Sequence, residues 1–131
     1  MKITADTNVL VRGVVRDDEV QARAVDKIFD EATLIAVSVP CLCEFVWVLS
    51  RVYHFDKVDI AAAIGALLHA DKAVMNRPAV EAGLALLNAG GDFADGVMAY
   101  EGNWLGGETF VSFDKKTISL LKAQGQAVRL L

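Results

Sequence analysis

At 131 residues the chain is long enough for one domain with a sizeable core, and 54% of it is hydrophobic. No apolar run reaches the roughly 20 residues that a membrane helix needs. The nearest, "IAAAIGALLHA", is held between Asp59 and Asp71. Thirteen Lys and Arg against seventeen Asp and Glu leave a net charge of −4, a poor electrostatic footprint for a nucleic-acid binder.

Taken in chain order, "KITA" reads as a short buried strand and residues 8–15 as a first helix. "DEVQARAVDKIFDEA" is a second helix, with Val20, Ala24, Ile28 and Ala32 spaced by four along the face expected to be buried. "TLIAVS", rich in β-branched residues, is a second strand. Pro40 suits a first helical turn and opens a helix to about His54, and Asp56 starts another to about Ala70. "KAVM" is a short third strand before Arg77-Pro78. A helix over 79–88 stops at Gly90-Gly91, and Asp92 starts the next, which stops at Gly106-Gly107. "TFVSF" is a strand, "KKTISLLKAQG" a helix and "AVRLL" a final strand. Strands alternating with helices imply a parallel sheet covered on both faces.

The two cysteines, Cys41 and Cys43, stand two apart on a helix. They can neither pair with each other nor supply zinc spacing, and they read as small buried hydrophobes. His54 and His69, near helix ends and next to charged residues, read as surface histidines. The acid at position 6 is unlike a signal peptide. The expectation is a cytoplasmic protein that hides apolar surface against a partner.

Four carboxylates fall where composition alone does not demand them. Asp6 ends the first strand and Asp114 ends "TFVSF". Asp95 lies in the first turn after Gly90-Gly91. Glu44 stands inside "VPCLCEFVWVL", where every other residue is apolar. A helix apolar all round is buried, so Glu44 is expected in a dry setting, with a basic partner, a narrow wet face or a metal ion. No Lys or Arg lies three or four residues from it, which favours the metal. Asp6, Asp95 and Asp114 each suit a helix N-terminus, and Asp92 with Asp95 has capping-box spacing. Yet strand ends and following helix starts gather on the carboxyl edge of an open parallel sheet, where such folds bind ligands. Acids gathered there repel one another without a cation. Oxygen-only donors favour Mg²⁺ or Mn²⁺ over zinc. One bound divalent ion takes the net charge from −4 to −2, which weakens the electrostatic objection. Such a site suits phosphodiester hydrolysis.

The blocks "DTNVLVR" at 6–12, "PCLCEF" at 40–45, "DFADGVMA" at 92–99 and "FVSFDKK" at 110–116 together resemble the PIN-domain family, specifically the VapC-like toxin ribonucleases of type II toxin–antitoxin pairs. They occur in the family's order and cover nearly the whole chain. The resemblance implies a single PIN domain over 1–131 with a three-layer α/β/α fold around a central parallel sheet. It also implies a metal-dependent endoribonuclease, using Mg²⁺ or Mn²⁺, and a homodimer neutralised by a small antitoxin. Asp6, Glu44, Asp95 and Asp114 match the acidic quartet. Asn8 matches the amide that steadies the first Asp, Thr7 its small polar neighbour, and Ser112 the hydroxyl two residues before the last acid. Asp92 matches the outer acid of its block, as ligand or cap. Arg12 is a candidate contact for RNA or antitoxin, or a solvated helix residue.

Three other readings compete. A PIN-like binding module would keep the acids without cutting. A haloacid-type phosphatase wants a second Asp two residues after the first, where this chain has Asn8. A receiver domain wants a Lys at the end of its last strand, and "AVRLL" offers none.

Overall fold

The computed structural model describes all 131 residues, which divide into two compact units, residues 1–76 and residues 77–131. The class is the expected one: helix-rich α/β, every strand pairing parallel, compatible with a three-layer α/β/α fold. The strands, two or three residues each, form a three-stranded sheet and a two-stranded sheet.

The first unit runs β1 (Lys2–Thr4), α1 (Thr7–Val15), α2 (Glu19–Glu31), β2 (Leu34–Ala36), α3 (Val39–Arg51), α4 (Lys57–His69) and β3 (Ala73–Val74). β2 is central: Ile3 lies opposite Ile35, and Ile35 opposite Ala73. The helices start on side-chain caps. Asp18, Ser38 and Asp56 each accept a backbone N–H from within the first turn of α2, α3 and α4. At the far end of α2, the Lys72 ammonium donates to the carbonyls of Phe29 and Asp30 at 3.0 Å, where orphan carbonyls and the helix dipole favour a cation. α1 packs on α2 and α3, and Leu10, Leu42, Phe45, Leu49, Ile60 and Ile64 are fully buried or nearly so.

Two expectations about these helices need correcting. The buried stripe of α2 contains Ala22 and Val25, with Ala32 buried just past its end, whereas Val20 is 70% exposed and Ala24 is also exposed. A strict spacing of four drifts about 40° per step around a helix of 3.6 residues per turn, so alternating threes and fours are needed to stay on the core side. In α3 the apolar surroundings of Glu44 do not bury it. Leu42, Phe45, Val46 and Leu49 take the core side, and Pro40, Glu44, Trp47 and Arg51 form an exposed stripe.

The second unit runs α5 (Arg77–Asn88), α6 (Phe93–Trp104), β4 (Phe110–Ser112), α7 (Lys115–Ala123) and β5 (Val128–Leu130). β4 and β5 are parallel with Val111 opposite Arg129, so α7 is the crossover between them. α5 lies along α6 through two glycines. A Cβ on Gly96 would stand 2.6 Å from the carbonyl oxygen of Ala82 and 2.9 Å from Cα of Gly83, so only glycine allows this approach. Leu86, Ala99 and Leu121 form a buried cluster, covered by Phe110, Leu120 and Val128.

Candidate active site

In the first unit the site begins where β1 gives way to α1. Ala5 still hydrogen-bonds to the second strand through Ala36 at 3.0 Å, and Asp6 then turns the chain. Its carboxylate accepts the N–H of Thr7 at 2.8 Å, and Asn8, two residues on, is exposed. Thr7 is buried and donates its hydroxyl to the sulfur of Cys41 at 3.8 Å, while that thiol donates to the Ala5 carbonyl at 3.6 Å. These contacts tie the start of α1 to the first turn of α3. Cys41 is therefore a buried thiol with polar work to do, beyond the hydrophobe that its sequence context suggests. Burial pushes this thiol up, the hydrogen bond from Thr7 opposes the shift, and the negative fields of Asp6 and Glu44 add to it. Both acids thus bear on the same sulfur. Both are exposed.

Arg12 is committed within its own unit. Its Nε donates to Gln21 at 2.6 Å, and one terminal nitrogen reaches both Asp17 and the Tyr53 hydroxyl at 3.0 Å. Tyr53 closes the ring by donating to Asp17 at 3.1 Å. The hydrogen bond with Tyr53, and then the charge of Asp17, hold the guanidinium ionised.

In the second unit one threonine positions two acids. The N–H of Thr117 donates to Asp114 at 3.0 Å, and its hydroxyl donates to Asp95 at 3.2 Å. Thr117 is buried, Asp95 is half-buried and Asp114 is exposed, so both bonds are partly shielded from water on the threonine side. Ser112 accepts the N–H of Asp114 at 2.9 Å and sets the turn from β4 into α7. Asp114 is the N-cap of α7, and the backbone N–H of Thr117 holds its carboxyl below the usual aspartate range. Asp95 goes the other way. Burial pushes it up, Asp92 and more weakly Asp114 add repulsion, and the Thr117 hydroxyl only partly offsets them. Asp92 is the N-cap of α6 through Ala94 at 3.3 Å. Asp95, having turned to Thr117, does not complete a capping box with it. Thr117 was not singled out as a site residue from sequence; the readable signal was its place three residues after Asp114, where an N-cap finds its donor.

In the first unit Asp6 and Glu44 both act on the Cys41 thiol, and in the second Asp95 and Asp114 are held by the hydroxyl and the backbone N–H of Thr117. No group of three or more His, Cys, Asp or Glu side chains is placed to hold a metal ion by itself. The donor chemistry nonetheless fits Mg²⁺ or Mn²⁺, because Mg²⁺ commonly takes one or two carboxylates and completes its shell with water and substrate phosphate. The repulsion that raises Asp95 is also of the sign that a cation relieves. His54 and His69 are exposed; His69 Nδ1 lies 2.8 Å from the Gly65 carbonyl. No helix is long and apolar enough to cross a membrane.

In comparison with known proteins, the family model for the PIN domain matches residues 3–117, a span that contains all four acids. Neither curated proteins nor solved structures give a match.

Proposed function

The chain belongs to the PIN domain family, generally a nuclease fold, and from that premise we propose that it is a metal-dependent endoribonuclease acting as the toxin of a toxin–antitoxin pair. The observation that carries this reading is the pairing of Asp95 with Asp114 through Thr117, which holds two carboxylates ready although their mutual repulsion disfavours it. Asp6, Glu44, Asp95 and Asp114 are the metal ligands, and residues 1–131 act as one PIN domain in the cytoplasm. Mg²⁺ or Mn²⁺, if bound there, would activate water and offset the charge growing on the phosphate. The chain's own part is to hold its carboxylates in place. Thr7 fixes Asp6, Thr117 fixes Asp95 and Asp114 together, and Ser112 sets the turn that carries Asp114. Asn8 stands exposed two residues after Asp6, and Asp92 serves first as a cap.

A homodimer and a small antitoxin complete the proposal. They are supported by exposed apolar side chains, among them Trp104, Leu105 and Phe113, which are 76%, 89% and 79% exposed.

A rival reading is a PIN scaffold that docks RNA or protein without cutting. It is favoured by the fact that no three ligands are grouped. Purified protein incubated with a structured RNA separates the two. Cleavage is expected with Mg²⁺ or Mn²⁺ and none with excess EDTA. Binding without cleavage in either metal favours the scaffold, and cleavage undiminished by EDTA refutes the metal-dependent reading.

A further inference from the structure

The exposed stripe of α3 holds more than a metal ligand. Glu44, Trp47 and Arg51 lie at i, i+3 and i+7, within about 60° of one another around the helix and spread over about 10 Å of its length. Trp47 is 59% exposed. Its neighbours Phe45, Val46 and Leu49 take the buried side, so nothing in the packing of α3 requires a large aromatic at position 47. The chain's other tryptophan, Trp104, donates its indole N–H to Tyr100 at 2.6 Å; Trp47 makes no such bond. Arg51 is exposed, and the four salt bridges, made by Arg12, Arg16, Arg23 and Lys27, leave it out.

We infer that Trp47 is a stacking platform for one unpaired base of a single-stranded RNA, with the adjoining phosphate drawn toward Arg51. An aromatic face next to a free cation is how single strands are held without reading sequence. A protein partner is the weaker fit, because acids are depleted at the centre of a protein interface and the exposed Glu44 stands one turn from Trp47. The inference rests on the reading that Glu44 belongs to the RNA-cleaving site. Trp47, one helical turn away, then selects for an unpaired nucleotide beside the bond to be cut. Duplex RNA, whose bases are already stacked on one another, offers no face to it.

The experiment reads binding separately from cleavage. In a Trp104→Phe protein, Trp47 is the only tryptophan, and its emission is followed while a short unpaired RNA is added at low salt with EDTA. Saturable quenching is expected, with little or none from the same sequence as a duplex. In the Trp104-containing protein, followed by filter binding, Trp47→Ala should weaken single-strand binding roughly tenfold and Trp47→Phe should keep most of it. In cleavage assays Trp47→Ala should raise KM while kcat stays within about twofold. Unchanged RNA affinity in Trp47→Ala overturns the inference. So does an emission that shifts with protein concentration and ignores RNA, since a second protein chain then covers Trp47. The two readings can fail separately: quenching without cleavage in Mn²⁺ counts against the nuclease and for the platform, and cleavage with an unchanged KM in Trp47→Ala does the reverse.

Discussion

Asp6→Asn is expected to lower kcat/KM for RNA cleavage by at least about 100-fold while leaving the metal-free fold nearly intact. Changes to groups that merely orient a metal ligand commonly cost 10- to 100-fold, so removing a ligand's charge should do no less. Asparagine keeps the size of aspartate and an oxygen that can accept the N–H of Thr7, now made at 2.8 Å. The turn from β1 into α1 is therefore retained, and the cost to stability should be within about 0.5 kcal/mol, as for exchanges between good caps. Steady-state cleavage in Mn²⁺ and thermal melting in EDTA measure the two effects. Activity within twofold of wild type would show that Asp6 is only a cap.

Gly96→Ala should be the most damaging single methyl group in the second unit. The added carbon would stand 2.6 Å from the Ala82 carbonyl oxygen, 2.9 Å from the Gly83 Cα and 3.0 Å from the Leu86 Cβ. Two of these neighbours are backbone atoms of α5, which cannot swing aside, so the helices must separate. Overpacking commonly costs 1–3 kcal/mol, and a rigid backbone obstacle places this change at about 3 kcal/mol or above. Because Gly96 adjoins Asp95, separation should also disturb the bond between Asp95 and Thr117, now 3.2 Å, and activity should fall with stability. Gly65→Ala is the control. A Cβ there meets nothing within 4 Å, and in the middle of α4 alanine should stabilise by up to about 1 kcal/mol. Urea denaturation of both variants gives the comparison; a Gly96→Ala protein as stable as wild type would show that α5 and α6 do not approach as closely as described.

The elements themselves were legible because local signals agreed. Asp18, Ser38, Asp56, Asp92 and Asp114 all stand at helix starts, and Gly90, Gly106 and Gly125 all take positive φ in the turns where helices end. The strand-end acids were legible for the same reason, since a strand running into a capped helix leaves few places for its last polar residue. The surroundings of Glu44 were not. Trp47 counted as a core letter when it is a solvent-facing one, and this concealed the wet face of α3 on which Glu44 sits. A one-dimensional pattern cannot separate an aromatic that fills a core from one that waits at a surface. Nor could it show that Cys41 and Thr7 meet 34 positions apart, or that Thr117 reaches back 22 positions to Asp95; both contacts depend on tertiary packing.

Melting curves of wild type and Asp95→Asn, each in EDTA and in Mn²⁺, test most directly the claim that these acids form a metal site. Asp95 is pushed upward by burial and by Asp92 and Asp114, so its ionised form costs the folded state stability. The penalty is absent in acid below the ordinary aspartate range, grows as pH rises toward the raised value, and is fully present above it. Asparagine removes it and can still accept the Thr117 hydroxyl. At pH 7 in EDTA the variant should therefore melt at or above wild type, an advantage that should vanish in acid. On the metal-site reading Mn²⁺ binds the folded state alone, so it should raise the wild-type melting temperature clearly and that of the variant much less. If Asp95 were only an ordinary first-turn acid, the variant would melt slightly lower in both conditions. If Mn²⁺ leaves wild type where EDTA does, the metal site is contradicted, and the metal-dependent nuclease with it.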